Sequence, residues 1–218
     1  VSFVINCLSR PSTTVFKKLK KAMLKDDDTK VIVYASSRMK IDQFQVTCEG
    51  KLDMVGGDNN NLHKVDVVKV TGPLTVEEKA HHLCAFMGTG TSAFNPRILV
   101  ATSGATNAGI DCDKIRAVFR LDMPSTRVDI VQERGRAGRF LGANPTTCSY
   151  DVNFSVGGFN YKLIRILSKK EEILDNTYRK EMECELLHTL KLLTIAPQCI
   201  ALELEEAMAN PDVPSTDE

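Results

Sequence analysis

The chain has 218 residues, of which 43% are hydrophobic and 26% charged, and its 28 lysines and arginines balance its 28 aspartates and glutamates. This length can bury one substantial core with a small appendage, and the composition is ordinary for a soluble globular protein. No apolar run approaches the ~20 residues that a bilayer span requires, which excludes a membrane protein. The zero net charge gives no global argument for nucleic acid, so such an argument must come from local sites.

The seven cysteines are odd in number and widely spaced, and no two of them form a Cys-x-x-Cys pair. We therefore expect no metal centre, no disulfide framework and a reducing intracellular compartment, either the nucleus of a eukaryote or otherwise the cytoplasm. The chain begins at Val1 rather than Met and ends in the polar run 210–218, which is typical of a fragment.

Short β-branched apolar runs alternate along the chain with helical patterns. Such runs are typical of strands that are buried on both faces of a parallel sheet, and their alternation with helices predicts an α/β fold with right-handed crossovers. The predicted strands are 30–35, 67–71, 97–102, 117–121 and 147–152.

Helix signals lie between these strands. Apolar residues at helical spacing predict a helix after Pro11, and Thr75-Val-Glu-Glu has the spacing of a capping box that opens another. We predict that Gly88-Thr-Gly-Thr-Ser92 ends that helix, since it lacks the lysine of a phosphate loop and precedes a strand. The run Gly56-Gly-Asp-Asn-Asn-Asn61 predicts a loop over 49–66.

The pattern becomes wholly helical from about 159 to 208. We therefore predict an α/β domain over 1–155 and a helical extension with a polar tail over 156–218.

The most informative stretch begins where the predicted strand 97–102 ends. Thr102 is followed by Ser103-Gly-Ala-Thr-Asn-Ala-Gly-Ile-Asp111. Loops at the carboxyl ends of parallel strands form the functional edge of an α/β sheet. Small residues let a ligand approach the backbone, and hydroxyls and amides can bond phosphate oxygens, so this loop predicts contact with a nucleic-acid backbone.

A second element follows in Gln132-Glu-Arg-Gly-Arg-Ala-Gly-Arg139. We predict that Arg136 and Arg139 share one face of a helix, with Gly135 and Gly138 leaving room around them. Two guanidiniums on one face suit a polyphosphate in its transition state. The three arginines alone, Arg134 included, are more typical of a solvated basic helix face.

Order and spacing decide between these readings, because the stretch resembles motifs V and VI of superfamily 2 helicases. The QxxGRxGR pattern is matched at every fixed position, Tyr34-Ala-Ser-Ser-Arg38 resembles motif IV, and Thr71-Gly-Pro-Leu74 resembles the family's His-Ala-Gly-Leu turn. The resemblance covers about 31–151. The sequence Gln-Glu-Arg-Gly-Arg-Ala-Gly-Arg at motif VI is most similar to that of RecQ DNA helicases, since DEAD-box RNA helicases usually begin this motif with His.

The resemblance implies a RecA-like lobe of the P-loop NTPase type, the second lobe of an ATP-dependent 3′–5′ DNA helicase. Arg136 and Arg139 would reach the γ-phosphate of ATP, bound with Mg²⁺ mainly by a first lobe, and Gln132 would couple that site to the nucleic acid. Residues implied in the nucleotide cleft are Gly109, Asp111 and Gly135. Residues implied on the nucleic-acid strand are Ser37, Arg38, Gly72, Thr102 and Ser103.

The chain contains no G-x-x-x-x-G-K-[ST] and no Asp-Glu-x-His or Asp-Glu-Ala-Asp run, so we expect it not to hydrolyse ATP alone. The expected partners are single-stranded or partly duplex DNA and an upstream RecA-like lobe of the same polypeptide. Two alternatives stay open. An RNA helicase lobe of the same superfamily would differ in its sensitivity to the 2′-hydroxyl. A degenerate nucleic-acid-binding scaffold would have no need of Gln132, Arg136 and Arg139.

Overall fold

The structure is a computed structural model that describes residues 2–23, 28–51, 66–89, 95–106, 110–138, 148–168 and 176–194. Within these ranges the strands form one six-stranded sheet in the order β1-β6-β5-β2-β4-β3, and every neighbouring pair is parallel. This arrangement confirms the predicted α/β fold. The strands are β1 Ser2–Cys7, β2 Lys30–Ala35, β3 Val67–Val70, β4 Ile98–Thr102, β5 Ile115–Arg120 and β6 Ser149–Phe154.

The first strand was not predicted. β1 lies at the edge of the sheet, pairs only with β6 and is at most half-buried along its length. Its apolar core is the three residues Phe3 to Ile5. So short a run gives little periodicity to read, whereas the central β2 is buried throughout.

Helices cover both faces of the sheet. They are α1 Pro11–Met23, α2 Arg38–Lys51, α3 Val76–Met87, α4 Arg127–Arg134, α5 Val156–Leu167 and α6 Asn176–Thr194, and Ser103–Thr106 forms a 3₁₀ turn. α1 and α2 pack on one face, while the buried residues of α3, α4, α5 and α6 join the cluster on the other. None of these described helices is both long and apolar enough to cross a membrane.

Three local predictions are confirmed. A helix follows Pro11 and buries Val15, Leu19 and Met23. The capping box of Thr75 is present, with both reciprocal hydrogen bonds to Glu78. Gly88 ends α3 in the left-handed conformation, with a φ of 75° that favours glycine.

Other boundaries differ from the prediction. α2 continues to Lys51, so the predicted loop begins no earlier than residue 52, and residues 52–65 lie outside the described ranges. α5 and α6 bury Ile166, Leu186 and Leu193 in the cluster that α4 also joins. The division at residue 155 stays a prediction, and residues 195–218 lie outside the described ranges.

The end of α4 corrects the helical prediction for the arginine-rich stretch. α4 ends at Arg134, and the next residues form a turn with i→i−3 backbone hydrogen bonds. Gly138 then takes a left-handed φ of 71° and donates its N–H to the Ile115 carbonyl of β5 at 3.2 Å. The prediction that Arg136 and Arg139 share a face of a helix is therefore wrong, because the helix stops before Arg136. Arg139 itself lies outside the described residues.

Candidate functional site

Three loops lie side by side at the carboxyl edge of the sheet. β2, β4 and β3 are consecutive neighbours, and all strands run in the same direction. Their ends therefore bring the residues predicted to bind nucleic acid to one edge. Ser37 and Arg38 follow β2, Thr102 and Ser103 stand at the end of β4, and Gly72 follows β3.

The outer residues of these loops face solvent. Arg38 opens α2 with a side chain that is 64% exposed, and its Nε lies 3.9 Å from Asp42 Oδ2. A Cβ added at Gly72 would meet no atom within 4 Å, so the surface there is open. Ser37 Oγ accepts a hydrogen bond from the Lys40 N–H at 3.4 Å at the start of α2. Thr102 is half-buried.

Beneath the loops, Arg120 occupies the end of β5 with no exposed surface. Its Nε donates to Asp122 Oδ1 at 2.9 Å, and its Nη2 donates to Ser36 Oγ at 2.8 Å. Its Nη1 donates to Ser103 Oγ and to Glu133 Oε1. One guanidinium therefore contacts the loops after β2, β4 and β5, as well as α4.

Glu133 is the buried acidic partner on α4, with 2% exposure. Its Oε1 accepts from Ser103 Oγ at 2.8 Å, and its Oε2 accepts from the Tyr150 hydroxyl of β6 at 2.9 Å. Burial raises the pKa of Glu133, and the charge of Arg120 opposes that rise. Burial and the neighbouring Glu133 raise the pKa of Tyr150 well above its ordinary value, so its hydroxyl remains a donor.

Asp122 is the second buried carboxylate, with 4% exposure. It accepts from the Ser36 N–H at 3.0 Å, from Ser36 Oγ at 2.9 Å and from Lys40 Nζ at 3.0 Å. Burial alone would raise its pKa, but the charges of Arg120 and Lys40 outweigh burial and lower the pKa of Asp122 to about 2. Asp122 is therefore ionised at neutral pH, which fixes the loop after β2 against the end of β5. We refer to Ser36, Ser103, Arg120, Asp122, Glu133 and Tyr150 as the Arg120 cluster.

A small cavity adjoins this cluster where the two predicted motifs meet. It is lined by Tyr34, Ser103, Thr106, Asp129, Gln132, Glu133 and Arg136. Thr106 Oγ1 donates to the Tyr34 hydroxyl at 3.2 Å, and burial with the charge of Glu133 raises the pKa of Tyr34 to about 12. Arg136 is 8% exposed and donates to the Ile110 and Thr106 carbonyls at 3.3 and 3.4 Å.

Of the remaining predicted residues, Gln132 lines that cavity, Asp111 and Gly135 are described but are not among its lining residues, and two lie outside the described ranges. Gln132 is exposed on α4, and Asp111 is exposed directly after Ile110. Gly135 caps α4, and a Cβ there would lie 3.1 Å from the Val131 carbonyl, which is tighter than ordinary contact. Gly109 and Arg139 are not among the described residues. The structure thus brings Ser103, Gln132 and Arg136 around one cavity.

The Arg120 cluster was missed from the sequence. One signal was present, since Arg120 stands inside a strand that was predicted to be buried on both faces. A charge at such a position requires a partner. Nothing in the sequence, however, indicated that the partners would be Glu133 and Asp122, which are 13 and 2 positions away.

Residues 14–141, more than half of the chain, match the helicase conserved C-terminal domain family. The chain belongs to this family. Its six-stranded parallel sheet with flanking helices is the RecA-like fold of a helicase C-terminal lobe. A comparison with curated proteins gives no match.

Two solved structures share the fold of this helicase lobe. Domain 2 of the DEAD-box helicase Mss116p, bound to an RNA duplex, has a TM-score of 0.56 at 14% identity, over 97% of this chain and 77% of that one. The C-terminal part of the Fun30 ATPase domain has a TM-score of 0.51 at 15% identity, over 80% of this chain and 53% of that one. The lobe therefore spans about half the length of the Fun30 chain.

We predict that Arg120→Met lowers the free energy of unfolding of this helicase lobe by about 3–5 kcal/mol, because it leaves two buried carboxylates without their shared cation. Arg116→Met is the matched control, because Arg116 lies on the same strand and its side chain donates to the carbonyl of the exposed Asp113. It should change stability by less than about 1 kcal/mol. Urea unfolding of both variants tests this, and equal losses would contradict the assignment.

The lowered pKa of Asp122 predicts a defined loss of stability in acid. Its folded pKa of about 2 lies below the unfolded value of about 3.9, so the carboxylate stabilises the lobe above pH 4, and this contribution disappears as the pH falls through 2. Between these limits the unmodified lobe should lose on the order of 2 kcal/mol more than Asp122→Asn does.

Urea unfolding at a series of pH values measures this difference. Asp113→Asn, at an exposed position of the lobe, should follow the unmodified protein at every pH. Parallel pH profiles for Asp122→Asn and the unmodified lobe would show that Asp122 does not carry the acid-sensitive contribution.

Proposed function

We propose that this chain is the second motor lobe of an ATP-dependent superfamily 2 helicase that tracks along single-stranded DNA in the 3′–5′ direction. An upstream RecA-like lobe of the same polypeptide would hold ATP and Mg²⁺. The observation that carries the proposal is the cavity at which Ser103 of the nucleic-acid-facing loop lies with Gln132 and Arg136. Residues suited to a phosphate backbone and to a nucleotide thus occupy one site.

On the nucleotide side, Arg136 supplies the charge. Its hydrogen bonds to the Ile110 and Thr106 carbonyls are long, at 3.3 and 3.4 Å, and their acceptors are neutral. A phosphate oxygen forms a shorter, charge-assisted bond with a guanidinium than these carbonyls do, and in the proposed function Arg136 turns toward ATP when the lobes close. Such an arginine contributes ~10³-fold or more in rate. Gln132 lines the same cavity, and we assign Gly135, Asp111, Arg139 and Gly109 to the cleft by their motif positions.

On the nucleic-acid side, the loops after β2, β4 and β3 form a row. Arg38 offers an exposed guanidinium, Thr102 and Ser37 offer hydroxyls, and Gly72 leaves open surface for a strand. Contacts of this kind bind the phosphate backbone and carry no base specificity. Alternating closure and opening of the two lobes would then move this grip along the strand.

The preference for DNA is supported by the sequence of Gln132 to Arg139, which resembles motif VI of RecQ helicases. We accordingly propose an intracellular role in DNA repair or recombination, in the nucleus of a eukaryote or otherwise the cytoplasm. An RNA helicase is the second candidate, because the similarly folded Mss116p domain is bound to an RNA duplex.

We predict that single-stranded DNA raises the ATPase rate of the full-length protein that carries this lobe more than single-stranded RNA does. Arg136→Ala, alone or with Arg139→Ala, should lower kcat by about 10³-fold, because it removes a charge from the phosphoryl-transfer site. Steady-state ATPase assays with DNA, with RNA and with neither measure both effects.

Arg134→Ala is the matched control for these assays, since Arg134 lies on α4 two positions before Arg136 and outside the fixed motif positions. It should retain the unmutated rate. ATPase stimulation by RNA but not by DNA would assign the lobe to an RNA helicase. An unmutated protein with no nucleic-acid-stimulated turnover would reject the motor function and favour a scaffold.

A further inference from the structure

The Arg120 cluster spans the sheet in a way that the helicase motifs do not describe. Arg120 lies on β5, and the neighbouring strands follow in the order β5-β2-β4. Its guanidinium bonds Ser36 after β2 and reaches beyond β2 to Ser103 after β4. The same Nη1 bonds Glu133 of α4. Arg120 Nη1 thus bonds both the loop after β4 and the end of α4, and Ser103 Oγ joins the two directly through its 2.8 Å hydrogen bond to Glu133 Oε1.

Each end of this connection adjoins a residue with a proposed function. Ser103 directly follows Thr102, which faces the strand in the proposed function. Glu133 directly follows Gln132, and its carbonyl accepts the Arg136 N–H at 3.1 Å. The loop after β4 is therefore connected to the turn that carries Arg136 through three groups in direct contact. They are the Ser103 hydroxyl, the Glu133 carboxylate and the Arg120 guanidinium.

The physical character of the cluster makes it sensitive to small movements. Arg120 and Glu133 are almost wholly buried, so water cannot replace a partner that moves away. A displacement of Ser103 must then be followed by Arg120 and Glu133, or it leaves a buried charge incompletely bonded. A buried ion pair of this kind is weak evidence for a role in stability, since apolar residues of similar volume often hold a fold equally well.

We propose that Arg120 and Glu133 are positioning residues that couple occupancy of the nucleic-acid strand at the loop after β4 to the placement of Arg136. This inference rests on the proposed motor function. Neither residue touches ATP or the strand in it. They transmit the position of Ser103 to the end of α4, so that binding of the nucleic-acid strand places Arg136 for ATP hydrolysis.

The test compares two arginine–glutamate pairs in the full-length protein. The Arg120→Met, Glu133→Met double variant removes the buried pair while filling its volume. Asp122 also loses Arg120 in this variant but keeps its ion pair with Lys40 at 3.0 Å, so no buried carboxylate is left without a cation. The Arg127→Met, Glu185→Met double variant is the control. It removes another pair on α4, which joins α6 at 3.2 Å and is partly exposed. Circular dichroism and thermal unfolding establish that each variant is folded.

The readout separates the maximal stimulation of ATPase kcat by single-stranded DNA from the DNA concentration that gives half of it. For the Arg120 and Glu133 double variant we expect maximal stimulation to fall by at least about fivefold. The half-maximal concentration should stay within about threefold, because the strand contacts themselves are intact. The control pair should retain the unmutated stimulation.

Two results would overturn the coupling role. The first is unmutated stimulation in the folded double variant. The second is a tenfold or greater rise in the half-maximal concentration with maximal stimulation preserved, which would mean that the cluster only shapes the strand site. If the unmutated protein is stimulated by neither DNA nor RNA, the proposed function fails, and the coupling role falls with it.

Arg120→Lys decides the question if the double variant does not fold. Lysine keeps the charge beside Glu133 but lacks the planar fork that reaches three loops at once. Coupling predicts the same loss of maximal stimulation in this variant. A purely charge-balancing role predicts that lysine restores it, and that result would reject the proposal.

Discussion

A charge with no access to water must be surrounded by partners, and in this lobe that requirement falls on Arg120. Four polar groups satisfy it: Ser36, Ser103, Asp122 and Glu133. They come from the ends of three neighbouring strands and from α4. The carboxyl edge of the sheet, where loops are ordinarily the most variable part of an α/β fold, is therefore held from below at a common point.

The position of the Arg120 cluster accounts for where the proposed binding groups lie at this edge of the sheet. The groups proposed to contact a strand, such as the Arg38 guanidinium, lie outward and exposed. Gln132 and Arg136, which are proposed to act at the nucleotide, line the cavity at the end of α4. The Arg120 cluster lies between the two sets. In the proposed function the lobe responds to two ligands, and a rigid polar layer shared by both proposed binding surfaces is a physical means for one to affect the other.

The sequence was informative where a local rule decides the structure. Five strands followed from continuous β-branched runs. Thr75 and Gly88 correctly marked the start and the end of α3, because capping depends on neighbouring residues. β1 was not predicted, because an edge strand needs little apolar surface and gives a weak sequence signal. The end of α4 was misplaced because spacing alone does not reveal where a turn and a left-handed Gly138 replace the helix. The motifs predicted site residues from local sequence, and that assignment stays a prediction, whereas the Arg120 cluster depends on contacts between distant segments.

Amide hydrogen exchange on the lobe tests the central claim that the Arg120 cluster holds the loops after β2 and β4 and the end of α4 as one unit. In the Arg120→Met, Glu133→Met variant we expect the amides of residues 36–41, 103–106 and 133–138 to lose protection together, while those of α3 keep theirs. Loss confined to the end of α4, or unchanged protection in all three segments, would contradict the claim, because the loops would then be held independently of Arg120.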